Sequence, residues 1–236
     1  QNSAFSIYAA TRQRDGFMDV NTGVGPRTKD EDVTQDFNSV RGQLMLRPND
    51  DVDIRIIGDY STRDEDCCVG VTTVRGPTAA IVNALAGGNG VIAVADPDER
   101  LAFANRDTNQ EITDQGISAE VNWLTNWLGE STFTSITSLR GWDAISGTDI
   151  DYTGADILYR VGEKETGYVE FETFSQEFRL TGSTDVMDWM FGMFYSDEDL
   201  KRNESVTMGS AYEPYLSIAL ISNVARAFPP GTVNVS

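Results

Sequence analysis

Alternation is the most visible pattern along the chain. In "VRGQLMLRPNDDVDIRIIGDYS", residues 40–61, Val40, Gly42, Leu44 and Leu46 alternate with Arg41, Gln43, Met45 and Arg47. Pro48, Asn49, Asp50 and Asp51 then supply turn chemistry. Beyond them Val52, Ile54, Ile56, Gly58 and Tyr60 fall on one side of a period-two ribbon, with Asp53, Arg55, Asp59 and Ser61 on the other. Only Ile57 breaks that register. The stretch predicts a hairpin with one apolar and one charged face. Two architectures accept such a hairpin. In a soluble sandwich the apolar face meets a second sheet, whereas in an outer-membrane barrel it meets lipid and the charged face lines a wet interior.

The same period recurs elsewhere. "SAFSIYAATRQR" sets Phe5, Ile7 and Ala9 against Ser6, Tyr8 and Arg12, and "GISAEVNWL" sets Ile117, Ala119, Val121 and Trp123 against Ser118, Glu120 and Asn122. "STFTSITSLRGWD" is a Thr/Ser-rich strand of ambiguous facing, and "YVEFETFSQEFRLTG" and "VMDWMFGMFYSDEDL" form a further pair. The last of these places Met187, Trp189, Phe191, Met193 and Tyr195 on one face, with Met190 and Phe194 on the other. "TAAIVNALA", 78–86, reads as a short helix or an inserted apolar plug, and "YLSIALISNVA" as a strand or a short helix. Short connections at 48–51, 125–130 and 182–185 alternate with long ones at 15–36, 63–114 and 144–167. Outer-membrane barrels segregate short turns and long loops in this way, one set per rim. Tyr60, Trp123, Trp142, Trp189 and Tyr195 near strand ends fit interfacial girdles or ordinary core positions.

Composition narrows the picture. The 236 residues are 40% hydrophobic, low for a chain that packs a deep core, and 21 glycines with 10% aromatics favour strands and turns. A net charge of −19 argues against nucleic acid as a partner, because phosphate neutralisation needs clustered Lys and Arg. No apolar run approaches the roughly 20 residues of a membrane helix, but a spanning strand needs only about 9–11 alternating residues. Gln1 does not read as a translation start, so a processed or partial product is expected.

Candidate chemistry is sparse. With no histidine, Ser-His-Asp and Cys-His catalysis and HExxH zinc sites are excluded. Cys67 and Cys68 are adjacent and either form a vicinal disulfide or stay reduced; no metal site is expected of the pair. "AGGNGV" lacks the Lys-Ser/Thr ending of a phosphate loop and reads as a flexible connection. Asp149, Asp151, Thr153 and Gly154 match positions 1, 3, 5 and 6 of a calcium loop, but Arg160 stands where the bidentate Glu belongs. Asp64/Glu65 and Asp197/Glu198 are conceivable acid–base pairs for glycoside cleavage, although solvated loop acid is the plainer reading. Asn203 heads an "NES" sequon, which is uninformative without a eukaryotic secretory context. Arg140 and Trp142, at the loop end of a strand, are weak candidates for holding an anionic or ring-bearing ligand, as is Arg75 in the longest loop. No catalysis and no cofactor are expected.

Six strings in order, "GDYSTRDEDCC", "GISAEVNWL", "TSITSLRGWD", "DIDYTGADIL", "TFSQEFRLTG" and "DWMFGMFYSDEDL", resemble the barrel portion of TonB-dependent outer-membrane receptors, particularly the expanded set of Gram-negative alphaproteobacteria. The similarity spans residues 3–200. It implies a barrel of about 22 antiparallel strands around an N-terminal plug. It also implies import of a scarce extracellular ligand, such as an iron-siderophore complex, cobalamin or a glycan, driven by the TonB complex. No plug or TonB box precedes Gln1, and "GTVNVS" lacks a terminal aromatic strand, so the plug's residues have no counterpart here. The expected fold is therefore all-β: a partial transmembrane antiparallel β-barrel of about 7–8 strands, with short periplasmic turns and extracellular loops at 63–114 and 144–167. The partners implied are outer-membrane lipid, the TonB complex through a plug, and a small extracellular ligand. A self-contained eight-stranded barrel with a structural or adhesive role, and a secreted β-domain binding glycan or protein, are the alternatives.

Overall fold

A computed structural model describes residues 2–90 and 97–227, with side chains to residue 222. Residues 91–96 of the longest loop, including the end of "AGGNGV", and the terminal "GTVNVS" lie outside the described residues. The first half of the chain forms β1 (Ser3–Arg14), β2 (Met18–Asn21), β3 (Glu31–Asp32), β4 (Gln35–Asn49), β5 (Val52–Asp66), α1 (Ala79–Leu85) and β6 (Leu101–Phe103). The second half forms β7 (Asn109–Thr125), β8 (Glu130–Ser146), β9 (Thr148–Asp149), β10 (Leu158–Arg160), β11 (Gly167–Ser183), β12 (Asp188–Glu204), β13 (Thr207–Met208) and α2 (Tyr212–Ala227). The protein is mostly β, as its alternation predicts.

Seven long strands make one antiparallel sheet in the order β1-β4-β5-β7-β8-β11-β12. Every neighbour in the sheet is a neighbour among the long strands of the chain, so the sheet is a meander, and β1 and β12 are its edges. The two edges do not pair with each other. Only the β4/β5 hairpin departs from regular register, with a shift between Leu46 and Asn49. At one end of the sheet the connections are tight. Leu128 and Gly129 adopt positive φ in the β7–β8 turn, which the Thr125 and Ser131 hydroxyls tie together at 2.9 Å. At the other end the long connections fold into two three-stranded sheets, β13-β10-β9 and β3-β2-β6, together with both helices. We call the seven-stranded sheet the wall and the folded loops the cap.

Register fixes which residues share each face of the wall. Phe5, Ile7 and Ala9 of β1 oppose Leu44, Gly42 and Val40 of β4, and these oppose Ile56, Gly58 and Tyr60 of β5. Further along, Ile54, Ile56 and Gly58 oppose Val121, Ala119 and Ile117 of β7. Phe133 and Leu139 of β8 continue the face into Leu180 and Phe174 of β11, and Phe191, Met193 and Tyr195 complete it on β12. One face thus carries an apolar band that crosses all seven strands, interrupted on β8 and β11 where Gln176 bonds Thr137 and Ser135. The opposite face carries Arg41, Arg55, Asp59, Asp114, Glu120, Arg140, Glu177 and Arg179. "STFTSITSLRGWD", ambiguous as a sequence, takes its facing from these partners.

Nothing among the described residues covers the band. Phe5 is 79% exposed, Ile7 72% and Phe191 63%, whereas every buried hydrophobic residue except Ala144 belongs to the cap. Aromatic rings mark both borders. Trp123 and Trp127 meet edge to face at 5.2 Å and Phe133 stacks on Phe178 at 6.0 Å near the turns, while Phe174 and Tyr195 meet at 6.2 Å toward the cap.

The band also runs obliquely. The line of backbone partners through Ile7 passes Gly42, Gly58, Ile117, Leu139 and Phe174 and ends on Asp197. Ile7 is the middle of its strand's apolar run, but Asp197 lies about five residues beyond the middle of 189–195. Over six strand spacings of about 4.8 Å, at about 3.4 Å per residue, this drift inclines the strands by about 30° to the axis of a level band.

Candidate ligand-recognition site

The cap is built on buried polar anchors. Arg27, 3% exposed, uses all five guanidinium donors: Nε donates to Lys29 O, Nη1 to Arg106 O and the Thr108 hydroxyl, and Nη2 to Glu31 O and Asp32 Oδ2. Asp32 is fully buried and accepts also from Thr108 Oγ1 and the Val33 amide. Lys29 joins Asp66 at 2.7 Å, and Thr34 and Asp66 exchange two further bonds. A buried arginine with no spare donor and a carboxylate shared by four partners, the Val69 amide being the fourth, is a satisfied ion pair, so the first loop is fastened to the second.

A second clamp joins the later loops. Arg106 pairs with Asp156 at 2.7 Å and lies 3.7 Å over the Tyr159 ring, while the other oxygen of Asp156 accepts from the Ser210 amide and hydroxyl. Burial raises the pKa of Asp156, but the Ser210 amide, Arg106 and the Ser210 hydroxyl outweigh it and hold the carboxyl below its usual value. Backbone contacts add a third tie. The Gly154 amide donates to Gly90 O and the Val24 amide to Gly154 O, and a Cβ at Gly154 would fall 2.4 Å from Asn89 O. The described part of "AGGNGV" is therefore held in place, with Asn89 and Asn21 exchanging amide bonds of 2.9 and 3.0 Å and Gly87 and Gly88 supplying positive φ.

The calcium-like string serves the same packing. Asp149 is fully buried and accepts from the Asn105, Arg106 and Tyr152 amides, and Asp151 accepts from the Thr153 amide and hydroxyl and the Leu158 amide. Desolvation, then the neighbouring Asp151 charge, pushes Asp149 up to about 7 against the lowering effect of its amide donors. Burial likewise raises Asp151. Arg160, at the position of the missing glutamate, pairs with Glu204. Among the described residues no group of three or more acidic or cysteine side chains is placed to hold a metal ion.

The residues singled out from sequence fall in two separate places. Arg140, on the polar face of the wall, reaches Asp59 at 3.0 Å and Asp114 at 2.8 Å. It does so by lying over Gly116, where a Cβ would stand 2.9 Å from Nη1. Trp142 is two residues further along the same face, opposite Asp114 and Phe171. Arg140 therefore has two acidic partners already. Arg75 lies in the cap, lining a cavity of about 420 Å³ with Val82, Tyr152, Ile157, Leu158 and Tyr215. Cys67 and Cys68 are bonded to each other just before that wall of the cavity. The Cys67 amide donates to Thr108 O, and Cys68, at φ 86°, turns the chain away from β5.

The acidic pairs come apart. Asp64 and Glu65 are consecutive in β5 and Asp197 and Glu198 consecutive in β12, so each pair points to opposite faces of the sheet and shares no substrate position. Asn203 donates its side-chain amide to Lys164 O. Sequence reasoning missed Arg27, Asp32, Arg106 and Thr108 altogether. Their partners lie 5 to 81 residues away in loops without periodicity, which leaves no pattern to find. No known protein family, curated protein or solved structure matches the chain.

Proposed function

We propose that the wall is a segment of an outer-membrane β-barrel of a Gram-negative bacterium, that the cap is its extracellular face, and that the whole serves ligand uptake of the TonB-dependent kind. The observation that carries this reading is the apolar band that crosses one face of all seven strands, uncovered among the described residues and bordered by aromatic rings. A soluble protein rarely exposes an apolar patch beyond a few hundred Å², whereas a band of this kind with a polar opposite face is what a lipid-facing wall needs. The inclination of about 30° approaches the 35–45° of outer-membrane barrels, and long loops on one rim with tight turns on the other follow the same plan.

The free edges favour a receptor segment over a small closed barrel. In lipid, each unpaired backbone group costs several kcal/mol, so β1 and β12 each require a partner strand, and they do not supply one another. Further strands complete the wall. The polar face then lines the interior, where Arg140 with Asp59 and Asp114 and the pair Arg55 and Glu120 sit wet and accessible. The transport step, a plug moved by TonB, is implied by the family resemblance, and this chain contributes wall and recognition surface.

Tryptophan quenching tests the reading. In vesicles with brominated acyl chains, single-tryptophan variants retaining Trp123 or Trp189, on the banded face, are expected to lose emission strongly, and one retaining Trp142, on the opposite face, much less. A protein that stays monodisperse without detergent, and whose three tryptophans respond alike to brominated lipid, would sink the proposal.

A further inference from the structure

The cap cavity has chemistry of its own. Val82 and Ile157, both nearly buried, form its floor, Tyr152 supplies a ring from the β9–β10 connection and Tyr215 one from α2, and Arg75 stands at its wall. Its volume of about 420 Å³ lies within the range of small-molecule sites, roughly 300–1,000 Å³. The setting of Arg75 is unusual for this molecule. The described cations of the cap otherwise have partners: Arg27 has Asp32, Lys29 has Asp66, Arg106 has Asp156, Arg160 has Glu204, and Arg100 and Lys164 lie over rings. Arg75 has none among the described residues, although a carboxylate lines the same cavity and the chain carries −19. Asp151 makes no ion pair with it among the described residues and accepts instead from Thr153 and Leu158.

We infer that this cavity binds a small aromatic carboxylate, its ring against Tyr152, Tyr215 and the Val82–Ile157 floor and its carboxylate on the Arg75 guanidinium. An unpaired guanidinium is a ready bidentate donor for a planar anion, and an apolar, ring-lined floor favours a flat apolar body over a sugar or a hydrated metal complex. The inference deepens the uptake reading by naming a ligand class. It rests on that reading only in treating the cap as the recognition surface.

The test is titration of the purified protein in detergent micelles with indole-3-acetate and with its uncharged amide, followed by calorimetry. Indole-3-acetate is expected to bind, and Arg75→Gln to weaken it about tenfold, a loss of about 1.4 kcal/mol, with Arg75→Lys recovering part. The amide is expected to bind both proteins with the same, weaker affinity. Tyr215→Ala is expected to weaken acid and amide alike. No binding of indole-3-acetate at about 5 mM, roughly 3 kcal/mol of affinity, would overturn the inference, as would equal affinity for wild type and Arg75→Gln. Arg75 is exposed and has no partner among the described residues, so its variants are expected to keep the fold. Binding in micelles does not depend on strand orientation in lipid, so failure here leaves the barrel reading to the quenching experiment.

Discussion

Arg27 and Arg140 each bridge to acidic side chains, yet they live in different solvents. Arg27 keeps 1% of its side chain exposed and has every donor satisfied by protein, whereas Arg140 keeps 47% exposed on the polar face of the wall. Phenylalanines divide the same way. Phe103 is 4% exposed in the cap and Phe191 63% exposed in the wall. The cap is organised as water-soluble proteins are, with polar pairs sealed inside and a small apolar cluster of Val82, Ala86, Ala155, Ile157 and Ala211. The wall places most of its apolar residues on one exposed face and its charges on the other, the arrangement that the proposed lipid-facing reading requires.

That contrast breaks most severely at Arg27. Arg27→Ala leaves Asp32 buried without its cation and is expected to cost the cap about 3–5 kcal/mol. Hydrogen exchange should accelerate in 15–34 and 104–108 while β7 and β8 keep their protection, and adding Asp32→Asn should restore some of the loss. Equal acceleration in the wall would mean that the two regions are one cooperative unit. The next effect belongs to the band. Ile56→Lys on the apolar face is expected to destabilise the protein in vesicles by about 2–4 kcal/mol, and Ser118→Lys on the polar face by under about 1 kcal/mol, read from denaturant midpoints. Similar penalties for both would remove the distinction between the faces.

Smaller effects sharpen the comparison. Arg140→Gln, at a half-exposed bridge, is expected to cost no more than about 1 kcal/mol, well below Arg27→Ala in the same unfolding assay. Asp149 supplies a pH signature for the cap. Its folded pKa of about 7 lies above the ordinary carboxyl value, so the folded cap holds a proton that the unfolded chain releases. That stabilisation is complete below about pH 4 and disappears as pH rises through about 7. Asp149→Asn should flatten the dependence of cap protection across this window, whereas an unchanged slope would assign it to other groups.

How much of this was legible beforehand differs between the two regions for the same physical reason. The wall repeats every two residues, so all seven long strands and the three tight turns announce themselves from Phe5 to Tyr195, and only their ends were short. The β4/β5 hairpin, for instance, runs to Gln35 and Asp66, where apolar alternation has already ceased. The cap repeats nothing. Residues 78–86 and "YLSIALISNVA" left helix open beside plug or strand, and α1 and α2 settle there because Val82 and Tyr215 pack toward the same cluster. The Arg27–Asp32–Thr108 anchor joins residues up to 81 apart through single contacts, which no window along the chain contains. Arg75 was legible as a residue type; its cavity was not, since its walls come from three connections.

The ties within the cap have a mechanical consequence. The Arg27 anchor locks the first loop to the second, Gly154 locks the third to both, and Asp156 locks the fourth through Ser210. Loops cross-braced in this way do not spread like petals. Any large displacement of the cap would therefore carry it as one braced body about the strand ends near Arg14, Asp66, Ser146 and Glu204, with its small cavity moving along intact.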